Sequence, residues 1–205
     1  MCRLKIRNKS LAENHQRVPS NSETFKSMMN FMMLVLMSIT PAYATSESMK
    51  SVSLHSQTGL QPVGAGTITW FGFTIYDASL WTENGRFANL TDSLPVALHI
   101  TYRKNIKSSE LAERTAEEWQ QLNIYTPHER KQWQQRLATI WPTVNPGDSI
   151  TTVVSYDRRT HFYYNNELIH IIDDPEFGIA LLSIWLHPNT SQPELRNKLI
   201  GQRKG

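Results

Sequence analysis

Twice along this chain a run of strand-patterned segments gives way to a pair of helix-patterned ones, and that order constrains the fold more than any other feature. From Val52 to Trp81 the residues are rich in Val, Ile, Thr and aromatics, with Gly59, Gly64, Gly66 and Gly72 as punctuation. Such a block predicts two or three strands, closed by a turn at Asn84-Gly85. After Pro95 the pattern alternates: Val96, Leu98, Ile100 and Tyr102 share one face, Ala97, His99, Thr101 and Arg103 the other, as in a half-buried strand. The period then lengthens. Leu111, Thr115, Trp119 and Leu122 recur at helical spacing, with Glu110 and Arg114 placed as an i,i+4 pair. Thr126-Pro127-His128-Glu129 reads as a capping box with proline at the first helical position. The helix it opens carries the stripe Trp133, Leu137, Ile140 and Trp141 and stops at Pro142, before a turn at Pro146-Gly147-Asp148.

The second round repeats the scheme. Strands are expected over Ile150–Tyr156, His161–Tyr164 and Glu167–Ile172, the last two joined at Asn165-Asn166, because asparagine tolerates positive φ. Asp174-Pro175 then caps a nearly all-apolar helix from Phe177 to Leu186, whose composition requires burial on most sides. Ser191 to Glu194 reads as a further capping box for a short last helix, with Gly201 as its C′ residue. Strand runs alternating with helix pairs, and no strand-helix-strand crossover, predict an α+β fold: an antiparallel sheet with helices packed on one face.

Upstream of this pattern, Phe31 to Ile39 is an apolar run followed by Thr40-Pro41 and Ala42-Tyr43-Ala44. An apolar core, a helix break and an A-x-A site in that order predict a secretory signal over residues 1–44, cleaved after Ala44. The run is far short of the roughly 20 residues a bilayer span needs; the alternative is a buried N-terminal helix. Residues 1–29 are long for the segment that precedes such a core, and Met28-Met29 is a candidate true start. Residues 45–51 are polar and read as a flexible tail, leaving residues 52–205 as one domain.

The leader also explains the charge. The whole chain has 21 Lys+Arg against 18 Asp+Glu. Removing the leader's six basic and two acidic residues leaves 15 against 16, a net charge near −1. No cluster of more than two cations survives, so nucleic-acid binding has no support. Cys2, the single cysteine, lies in the leader, so the exported part has no disulfide, thiol nucleophile or thiolate metal site.

Several motifs fail on their context. Gly64-Ala65-Gly66 leads into a strand, not into a third glycine opening a helix, so it reads as a strand-entry turn and not a phosphate cradle. No G-x-S-x-G elbow and no H-E-x-x-H is present. A turn at Asn165-Asn166 would set His161 opposite His170, but no third ligand can be named, so no metal site is assigned.

The ordered set of local patterns is more specific than any of them. It comprises VGAGTITWFGFTIYDASLW (63–81), LAERTAEEWQQL (111–122), WPTVNPGD (141–148), FYYNN (162–166), DPEF (174–177) and IWLHPNTSQPELRNKLIG (184–201). This resembles the exported bacterial chalcone-isomerase-like proteins over most of the chain after the leader. The resemblance implies an open-faced β-sandwich with a ligand cleft between sheet and helices. In the plant enzymes of that superfamily the cleft closes a chalcone to a flavanone, using an arginine, a threonine, a tyrosine and an asparagine. Here the arginine's place falls within Gly64 to Thr67, which holds no cation. The threonine's place falls at Tyr76, as in the fatty-acid-binding branch. The tyrosine and asparagine fall at Lys107 and Arg114. Ring closure needs a cation for the phenolate and donors for the enolate, so no catalytic residue is assigned and no cofactor is implied.

The expectation is an exported, periplasmic or secreted protein without a membrane span. It would hold a small amphiphilic or aromatic ligand, fatty-acid-like or phenolic, with Tyr76, Lys107 and Arg114 as ligand-binding residues. The rivals are an intramolecular lyase or isomerase, and a scaffold that acts through a partner with its cleft filled by its own side chains. N-terminal sequencing of the exported protein is expected to begin at Thr45; a leader retained on cytoplasmic protein would refute export.

Overall fold

The computed structural model describes residues 59–202. The leader, its cleavage site, the polar tail and the first residues of the opening strand block lie outside the described residues. Ten elements follow in the order the periodicity predicts. Three strands come first, β1 (Gln61–Trp70), β2 (Phe73–Thr82) and β3 (Val96–Tyr102), then helices α1 (Ser108–Leu122) and α2 (Pro127–Ile140). Strands β4 (Ser149–Val154), β5 (Thr160–Tyr164) and β6 (Glu167–Ile172) precede α3 (Phe177–Leu186) and α4 (Pro193–Leu199). The six strands form one antiparallel sheet in sequence order. The open-faced α+β architecture expected from the sequence is the one observed.

Two tight turns set the register at the edges. Asn165 and Asn166 have φ of 48° and 73° between the paired residues Tyr164 and Glu167. Such positive values match the right-handed twist of a hairpin. Phe71 (φ 46°) and Gly72 (φ 79°) do the same between Trp70 and Phe73. Glycine suits that backbone; phenylalanine there costs on the order of 1 kcal/mol.

The core lies on the helix side of the sheet. Leu80, Leu98, Ile100, Ile150 and Phe162 meet Trp119, Leu137, Phe177 and Leu181 in one buried cluster. Gly178 lets α3 sit down on the sheet, since a Cβ there would reach 2.4 Å from Thr160 Oγ1 and 2.7 Å from Val154 Cγ2. At the end of α2, Trp141 turns inward against Phe162 with ring centroids 5.8 Å apart.

Several local expectations are corrected. Gly64 and Gly66 lie inside β1 and form no entry turn. Their role is close approach, because a Cβ on Gly64 would stand 2.1 Å from the Lys198 carbonyl oxygen and one on Gly66 2.7 Å from Leu195 Cδ1. The α4 helix thus rests on bare backbone. Strand β3 is covered on both faces and is not half-buried: Ala97 joins Leu60, Trp81 and Val153 in a second, smaller cluster. Glu110 makes no i,i+4 pair with Arg114; its carboxylate accepts the Lys107 N–H at 3.4 Å, drawn to the unpaired amides of the helix start. Glu176, not Asp174, is the N-cap of α3, and Asp174 contributes by accepting the Glu176 N–H at 3.0 Å.

Replacing Gly64 by alanine is therefore expected to lower unfolding stability by about 2 kcal/mol, in the range of overpacked interior sites. Urea denaturation with an unchanged m-value would show it. A neutral result would mean that α4 does not dock on β1 as described.

Candidate functional site

Along each strand, alternate side chains face the helices, and the row nearest the β1–β2 turn is the polar one. Tyr76 pairs with Ile68 on β1 and with Tyr102 on β3, so the two tyrosines stand side by side on the helix face. Their ring centroids are 6.3 Å apart, edge to face. From the last turn of α3, Trp185 Nε1 donates to the Tyr76 hydroxyl oxygen at 3.0 Å. That bond uses an acceptor lone pair and leaves the Tyr76 proton free to be donated. Tyr102 is buried beside it, in the same apolar cluster of the core.

Burial raises both phenols. Tyr76 is pushed up to about 12 by desolvation; the Trp185 bond and the Arg114 charge pull the other way, and the charge of Glu118 adds to the rise. Tyr102 is raised further, by burial and by its tyrosine neighbour. At neutral pH both are uncharged donors in a weakly polar interior.

Helix α1 supplies the charges beside them. Arg114 Nη2 donates to Glu118 Oε1 at 2.6 Å, and Nη1 donates to Glu117 Oε2 at 2.8 Å. The Glu118 side chain is nearly buried, while Arg114 and Glu117 are more than half exposed. The second Glu118 oxygen accepts from Ser191 Oγ at 2.7 Å. This corrects the capping box expected at Ser191: its hydroxyl satisfies the buried carboxylate, and Gln192 takes the N-cap of α4 without a side-chain bond.

Of the three residues assigned from the sequence, the fold brings Tyr76 and Arg114 into one electrostatic neighbourhood. Lys107 lies apart, exposed at the N-cap of α1, two helical turns from Arg114 on the same face. Glu118, Tyr102, Trp185 and Ser191 escaped sequence reasoning. Tyr102 was legible as an inward position of β3, but its neighbour across the strands was not.

The histidine pair does not form. A bulge between Phe162 and Tyr163 shifts the register by one residue, so His161 faces Ile171 and Phe162 faces His170. A one-residue slip sends the two imidazoles to opposite faces. Among the described residues no group of three potential metal ligands occurs.

The middle of the layer interface is filled by the chain itself. Trp119, Trp133 and Phe177 pack edge to face, with Trp119 and Trp133 centroids 5.5 Å apart and Trp133 and Phe177 5.7 Å apart. Trp119 Nε1 donates to the Ala180 carbonyl at 2.8 Å. A recess of about 380 Å³ opens elsewhere, in the loop after β2, against Phe87, Asp92 and Leu94. It lies at the end of β2 opposite Tyr76.

A family model for chalcone isomerase-like proteins matches residues 41–201. An uncharacterized protein of Haemophilus influenzae is 26% identical over 144 residues, covering 70% of this chain and 69% of that protein. Among solved structures, an Arabidopsis thaliana fatty-acid binding protein superposes with a TM-score of 0.56 at 8% identity, over 70% of this chain and 88% of its own. That likeness is one of fold.

The raised phenols make stability pH-dependent in a definite direction. Unfolding returns Tyr76 to the ordinary value near 10, so the unfolded chain loses its proton first as pH rises. Stability is expected to be intact below pH about 10 and to fall as pH climbs toward about 12. Tyr76→Phe should flatten that fall. Denaturant midpoints measured across the range, with tyrosinate absorbance, would check it.

Proposed function

The chain belongs to the chalcone isomerase-like family, and on that premise we propose that it binds a small amphiphilic or aromatic molecule at the open end of its sheet without transforming it. One observation carries this reading: the partly buried Tyr76 and the buried Tyr102 stand side by side on a largely apolar face, and the Trp185 bond leaves the Tyr76 proton available. A ligand oxygen that accepts from both phenols gains two hydrogen bonds in a weakly polar setting, and the ligand's apolar remainder lies along the helix layer.

Arg114 is the cation of this reading, and it is already engaged. Its bond to Glu118 is fixed by Ser191 and by burial, whereas Glu117 is an exposed partner. Exposed ion pairs contribute ~0–1 kcal/mol, so Arg114 exchanges Glu117 for a ligand carboxylate at little cost. Lys107 adds positive potential at the same face of α1. Ring closure fits the site less well. A phenolate would need an uncommitted cation, Gly64 to Thr67 carry none, and Arg114 already faces two carboxylates.

Export belongs to the same proposal. It is supported by the A-x-A site and by a family match that begins at residue 41, close to the expected cleavage point. The partner-scaffold reading draws on a different observation, the aromatic filling of the layer interface.

Titration calorimetry with palmitate and with p-coumarate separates these readings. Tyr76→Phe and Tyr102→Phe should each weaken binding by about 1.5–3 kcal/mol, the range for a bond to a charged group, with unchanged folding. Equal affinities in wild type and both variants would return the tyrosines to a packing role, and absence of binding to either probe would favour the scaffold.

A further inference from the structure

We propose that the β1–β2 hairpin tip is a membrane-docking element that seats the protein on anionic phospholipid bilayers. This stands whether or not the tyrosine pair holds a ligand.

The tip is built from three aromatics that the fold does not bury. Trp70 is 40% exposed, Phe71 79% and Phe73 61%. Trp70 and Phe71 lean edge to face with centroids 4.5 Å apart, so they present one joined apolar surface. Phe71 also holds φ of 46°, a backbone that favours asparagine or glycine. A large apolar side chain in an unfavourable conformation, fully outside the core, gains nothing for the fold. Strain of this kind persists where the exposed group has a use.

The charge around the tip names the occupant. Between Ile68 and Tyr76 and between Tyr102 and Ser109 there is no acidic residue, while Arg103, Lys104 and Lys107 are all basic. The Arg103 N–H donates to the Ile75 carbonyl at 2.8 Å, which fixes this basic segment beside the start of β2. Lys104 Nζ sits 4.7 Å from the Phe73 ring centroid. Tryptophan and phenylalanine rimmed by lysine is the composition that suits the bilayer interface. Asp77, the first acid beyond the tip on β2, is neutralised by Arg103 at 2.6 Å.

Shape decides between a bilayer and a protein. A stable protein interface buries about 800 Å² per partner over a matched face, whereas a hairpin turn offers three side chains on a convex end. Convex aromatic tips enter the headgroup layer without a matching groove. Among the described residues no helix is long and apolar enough to cross a membrane, so this contact is docking and not spanning.

The test uses the full chain with large unilamellar vesicles of phosphatidylcholine and phosphatidylglycerol at about 7:3, compared with phosphatidylcholine alone. Sedimentation should show binding at least about fivefold stronger to the anionic vesicles. Phe71→Asn should weaken that binding about fivefold or more while leaving thermal stability equal or higher, since asparagine fits the turn. Brominated lipid should quench fluorescence in the wild type beyond what it quenches in Trp70→Phe, a readout confined to the tip. Equal vesicle binding by wild type and Phe71→Asn, or quenching that does not depend on Trp70, would overturn the proposal.

Discussion

Burial of α3 against the middle of the sheet is the contact on which the other elements depend. Eight of its ten residues are buried, which leaves no face to present to water, so the helix is stable only when covered on all sides. The sheet lies beneath it through Gly178, and α1 and α2 close over it through Trp119 and Trp133. Each large apolar side chain so buried contributes roughly 1.5–3 kcal/mol. The same placement sets Trp185, the last residue but one of the helix, against Tyr76. Packing at the centre thus fixes the geometry of the polar corner at the edge.

That corner holds its shape through bonds that leave its donors available. Trp185 occupies a lone pair of Tyr76 and not its proton, and Ser191 occupies a Glu118 oxygen that Arg114 does not use. Removing Arg114 would leave a nearly buried carboxylate with Ser191 and water as its partners, a destabilising change. Glu118 is therefore a positioning residue: it holds the guanidinium against α1 and leaves the second arm to an exchangeable surface partner.

What was legible in the sequence was what periodicity and local backbone chemistry decide. The order of the elements follows from periodicity, and the capping box at Thr126 and the Asn165-Asn166 turn rest on interactions within a few residues; these were found where expected. The misreadings needed a third dimension. The register of β5 against β6 was counted from the turn, and a single bulge moved His161 off His170. Ser191 had the spacing of a cap, but a buried carboxylate 73 residues earlier competed for its hydroxyl and won, because an ionised acceptor makes the stronger bond. Glycines at 64 and 66 read as a strand-entry turn, and only the fold shows that they make room for α4 on β1.

The contrast between identity and superposition explains why the site must be read from this chain's own residues. At 8% identity a fatty-acid binding protein still shares the fold, since element order and the inside–outside pattern survive almost complete replacement of side chains. Binding chemistry does not survive that way. In this chain the polar corner presents two uncharged phenols, an indole N–H, and a guanidinium divided between one fixed and one exposed carboxylate. Substituting any one of these would leave the hydrophobic pattern intact and change the donors and charges the corner presents. The sheet and helices are what this chain shares with that neighbour, and the side chains near the start of β2, at the end of β3 and in the middle of α1 are its own.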